Sequence, residues 1–65
     1  MKVNKKDLLK HFKGFIQDPE NVSKRDINFY TSCIIYDIRN ECSTFTEASE
    51  TLQTIENILK DHYNL

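Results

Sequence analysis

Apolar positions recur along this chain with helical spacing. Leu8, Leu9, Phe12, Phe15 and Ile16 fall at i, i+1, i+4, i+7 and i+8, one stripe of a 3.6-residue repeat. Asn4 precedes the stripe as a strong N-cap, with Asp7 three residues on to support the free N–H groups of the first turn. Asp18-Pro19 closes it, because a residue before proline is pushed out of the α region. The spacing predicts a helix over about 5–17, with Gly14 on its polar side costing up to about 1 kcal/mol of helix propensity.

Ser23-Lys24-Arg25-Asp26 opens a second helix with the same cap–basic–basic–Asp device. Ile27, Tyr30, Ile34 and Ile38 line one side, and a second apolar strip, Phe29, Cys33 and Tyr36, lies about 100–120° round from it. The β-branched and aromatic content would suit a strand, whose usual length is about 5–6 residues. Some 19 residues without a turn signal is too long for one, so a helix over about 24–42 is expected. Thr44-x-x-Glu47 fits a capping box, and Thr46 is an equally good cap. Ala48, Leu52, Ile55, Leu59 and His62/Tyr63 then repeat at 4-3-4-3 spacing, placing a third helix at about 47–63.

Three helices joined by short links predict an all-α, antiparallel three-helix bundle in one domain, 1–65, with the second helix in the middle and two short neighbours that leave part of its apolar surface uncovered. Cys33 and Cys42 lie roughly 13 Å apart on opposite faces of that helix, too far for a disulfide, and are expected as two buried, reduced thiols. Asp37 falls between the two strips. A nearby Lys, Arg or Tyr, or a wet gap between the first and third helices, is expected to accommodate it. Tyr30, Tyr36 and Tyr63 read as core-edge residues with wet hydroxyls.

Composition narrows the class. The 65 residues are 38% hydrophobic and 29% charged, with net charge −1, one Gly and one Pro, which excludes disordered, collagen-like and turn-rich all-β chains. The longest apolar run, Cys33–Ile34–Ile35–Tyr36, is far short of the ~20 residues of a membrane span, and no apolar segment follows the first lysine as in a signal peptide. A cytoplasmic protein is expected. Lys, Asn and Ile are frequent while Ala occurs once and Arg twice. AT-rich coding in low-GC bacteria and their phages yields this bias.

Chemistry is sparse. His11 and His62 stand at opposite ends of the chain without metal-ligand spacing, and no phosphate loop, HExxH or GxSxG is present. No enzyme, cofactor or metal is expected. Charge is uneven: Lys2, Lys5, Lys6, Lys10 and Lys13 against Asp7 make residues 1–13 strongly basic. Arg39 and Lys60 against Asp37, Glu41, Glu47, Glu50, Glu56 and Asp61 make residues 37–65 acidic. Lys5, Lys6, Lys24 and Arg25, at two helix starts, are the candidate anion contacts of a nucleic-acid-binding regulator. The slightly acidic chain and the missing helix-turn-helix turn count against it.

The favoured expectation is a small helical adaptor or inhibitor that binds another protein, encoded by a phage or mobile element, and homodimeric. A domain this small buries only about 60% of its unfolded surface and gains from a partner. The candidate contact residues are Ile35, which falls within the polar strip of the second helix, with Tyr36, the loop residue Phe45, and Glu47 and Glu50 of the acidic third helix.

Overall fold

The structure is a computed structural model that describes residues 2–65. Among them the chain forms three helices and no strand: α1 (Lys5–Phe15), α2 (Lys24–Glu41) and α3 (Phe45–His62). This is the expected all-α three-helix bundle, 35 × 19 × 18 Å. At about 1.5 Å per residue α1 is roughly 16 Å long and α2 and α3 roughly 27 Å, so α1 spans little more than half of its neighbours.

Each helix starts at a cap legible in the sequence. The Asp7 N–H donates to Asn4 Oδ1 at 3.2 Å. At Ser23 a full capping box forms: the Asp26 N–H reaches Ser23 Oγ at 3.4 Å, and the Ser23 N–H donates to Asp26 Oδ2 at 2.9 Å. Of the two caps offered for α3, Thr44 is used, its Oγ1 accepting from the Glu47 N–H at 3.0 Å. Glu47 reaches back to the Ser43 N–H at 3.0 Å, which favours this cap over Thr46, and α3 therefore begins at Phe45, not 47.

Helix ends depart by a residue or two. α1 stops at Phe15 because Ile16 turns extended, placing its side chain against the core. Asp18 organises the turn that follows, accepting from the Glu20 N–H and Asn21 Nδ2. α2 stops at Glu41, one residue before the expected 42. α3 ends in a Schellman motif: the Asn64 N–H donates to the Asp61 carbonyl at 3.3 Å and the Leu65 N–H to the Lys60 carbonyl at 2.8 Å. Asn64 carries the left-handed φ of 59° that this motif requires.

The core is one stripe from each helix: Leu8 and Phe12 of α1, Ile27, Tyr30, Ile34 and Ile38 of α2, and Ala48, Ile55 and Leu59 of α3. Phe12 joins all three, its ring 5.0 Å from Tyr30 of α2 and 5.7 Å from Tyr63 at the end of α3. The expectation of a central second helix is thereby corrected. Because α1 packs on α3 as well as on α2, the bundle closes as a triangle, and a helix at one corner needs cover on only one face. The strip Phe29, Cys33, Tyr36 is left exposed.

Four further expectations change for the same reason. Cys33 is exposed and Cys42 half-buried, so the thiols are free but are not both buried. Ile35 is half-buried instead of standing out in a polar strip. Asp37 is exposed and wet, but the gap beside it lies between α1 and α2, not α1 and α3. The Tyr30 hydroxyl is not wet: the side chain is fully buried and hydrogen-bonded to His11 Nδ1 at 2.7 Å, while the buried Tyr63 hydroxyl has no partner among the described residues.

Candidate protein-docking surface

Phe29, Cys33 and Tyr36 follow at i, i+4 and i+7 and share one side of α2. Phe29 is 61% and Tyr36 71% exposed. Phe15 of α1 extends the surface, its ring 5.5 Å from Phe29 and 5.2 Å from the buried Tyr30. The aromatic track thus runs from the core to the outer face without a break. Solitary exposed apolar side chains are ordinary; neighbouring aromatics around an accessible thiol are the composition of an interface centre.

Beside this face a cleft of about 360 Å³ opens between the two helices. Its floor is apolar, made by Leu8, Ile34, Ile38 and Ile55, and its rim carries Asp7, Asp37 and Glu41 with Lys2. The His11–Tyr30 pair also lines it. Burial pushes the Tyr30 hydroxyl above the ordinary tyrosine range, so it stays protonated at neutral pH. Glu41 occupies the last turn of α2, where exposed carbonyls disfavour anions by roughly 0.3–1 kcal/mol, and Asp37 stands one turn before it. Both carboxylates face the same cleft.

The five residues expected to contact a partner fall in separate places. Tyr36 is on the outer face of α2, and Ile35 is half-buried on another side of the same helix. Phe45, the first residue of α3 and 73% exposed, lines a shallow hollow with Arg39, Cys42 and Ala48. Glu47 and Glu50 line another groove, with Val3, Thr51 and Thr54. The basic set is likewise divided: Lys5 and Lys6 open α1, Lys24 and Arg25 open α2, and all four are exposed. The helices run antiparallel, since Phe15 meets Phe29 at one end while Asn4 and Asp7 face Ile38 and Glu41 at the other, so these starts lie at opposite ends.

The uncovered apolar surface expected on the second helix is present, and the packing of the three helices assigns it to the strip of Phe29 and Tyr36. The cleft had one signal, the misplaced Asp37, whose surroundings no helical projection supplies.

Among the described residues no group of three or more His, Cys, Asp or Glu is arranged to hold a metal ion, and no helix is long and apolar enough to cross a membrane. No family model matches the chain, and neither a curated protein nor a solved structure shows significant similarity to it.

Proposed function

We propose that this protein acts by binding another protein, as a small helical adaptor or inhibitor whose docking surface is the outer face of α2. The observation that carries the reading is the exposure of Phe29 and Tyr36 on one side of a helix whose opposite side is fully packed. Buried aromatic anchors dominate the energy of protein interfaces, and a partner helix laid along an apolar stripe is a recurrent mode of recognition. Cytoplasmic residence fits the free, exposed Cys33, since thiols persist in a reducing compartment. The AT-biased composition suits a phage- or mobile-element-encoded regulator of a host protein. A second copy of the chain is a further occupant of the same face, which makes the homodimer a matter for sedimentation at micromolar concentration.

The test is a pull-down from low-GC bacterial lysate with three baits: the natural chain, the double variant Phe29→Ser/Tyr36→Ser, and Phe45→Ser. Proteins retained by the first and third baits but lost from the second support the reading. Equal recovery by all three ends it.

A further inference from the structure

Phe29, Cys33, Asp37 and Glu41 are spaced four apart and form a single ridge on α2. The ridge starts in the aromatic stripe and ends on the lip of the α1–α2 cleft, so the outer face and the cleft are one continuous surface. The cleft is amphiphilic, with Leu8, Ile34 and Ile38 below and Asp7, Asp37 and Glu41 above. Lys2 is the sole lysine or arginine lining it among the described residues. The carbonyl end of α2 adds its partial negative charge to that of Asp37 and Glu41. A long aliphatic stem with a cationic head matches floor and rim together. A guanidinium matches best, because it is weakly hydrated and its planar fork engages carboxylates pairwise. At about 360 Å³ the cleft stands near the lower limit of ligand pockets, roughly 300–1,000 Å³, and admits one long side chain but not a folded segment.

We propose that the cleft receives an arginine side chain projecting from the protein segment docked on the outer face of α2. The inference rests on the docking reading above and names the partner's chemistry: an apolar segment with an arginine placed to reach over the Asp37–Glu41 lip.

The cleft is testable without the partner. The full chain, isotopically labelled, is titrated with Nα-acetyl-arginine amide and followed by amide chemical shifts. Expected are saturable shifts at Asp7, His11, Asp37 and Glu41, with Kd on the order of millimolar for so small a probe. Nα-acetyl-citrulline amide, with nearly the same shape and no charge, should bind at least about fivefold more weakly. Asp37→Asn with Glu41→Gln should weaken the arginine probe by at least about fivefold, whereas Phe29→Ser with Tyr36→Ser should leave it unchanged. Shifts that never saturate, that spread equally to Asp18 and Glu20 on the far turn, or that citrulline reproduces overturn the inference. They leave the outer-face reading standing, because the pull-down judges that reading separately.

Discussion

His11 Nδ1 stands 2.7 Å from the hydroxyl of Tyr30, a residue 19 positions further along, and this bond ties the short α1 to the middle of α2. Tyr30 is almost wholly enclosed, and its ring packs edge-on against Phe12 and Phe15. Its oxygen is the one side-chain polar atom of these three rings, and His11 at the cleft wall satisfies it.

Two tyrosine-to-phenylalanine changes should therefore differ, one costing stability and the other not. Tyr30→Phe removes the partner of His11 and should cost about 1 kcal/mol. Tyr63→Phe removes a buried hydroxyl with no partner among the described residues and should be neutral or stabilising by up to about 1 kcal/mol. Urea denaturation of the two variants beside the natural chain measures both, and equal losses would contradict the assignment of the two hydroxyls.

Alkaline pH should weaken the fold through Tyr30. Its pKa is raised by burial in the folded state and ordinary, about 10, in the unfolded state. The unfolded chain therefore releases this proton first. The stabilisation is complete below about pH 10 and is lost as pH rises through the folded value. Denaturation midpoints at pH 8 and pH 11 should fall further for the natural chain than for Tyr30→Phe, and parallel declines would remove Tyr30 from the account.

The Schellman end of α3 offers a stabilising change. Asn64 holds a left-handed φ of 59° that glycine adopts without a Cβ penalty. Asn64→Gly should raise stability by a few tenths to about 1 kcal/mol, and Asn64→Val should lower it by about 1–2 kcal/mol. Thermal melts of the pair decide this; a stabilised valine variant would refute the motif.

The start of α2 should depend on its capping box. Ser23→Ala removes the acceptor of the Asp26 N–H and should cost about 1 kcal/mol, read from the urea midpoint. Tyr36→Ser, on the exposed face of the same helix, should change stability by no more than about 0.5 kcal/mol. A larger loss at Tyr36 would mean that the side chain packs within the fold and is no docking element.

The candidate surface was only partly legible. Tyr36, a candidate from the sequence, stands exposed, whereas its neighbour Ile35 is half-buried. Phe29, on the second apolar strip of α2, keeps its surface exposed although its ring meets Phe15 of α1. Helical projection orders residues by angle around one axis. It does not say how many neighbours the helix has or on which sides they stand.

The sequence by itself determined what is local: three helices, their N-caps at Asn4, Ser23 and one of Thr44 or Thr46, and a core stripe on each helix, because hydrogen bonds within a turn and 3.6-residue periodicity involve only near neighbours. Tertiary structure alone decided which of the two apolar strips of α2 became core. Contact between α1 and α3 closes the triangle, so Ile27, Tyr30, Ile34 and Ile38 are enclosed while Phe29 and Tyr36 keep their surface. The short α1 also decides where Asp37 and Glu41 meet an apolar floor, since a cleft is a relation between helices and belongs to none of them singly.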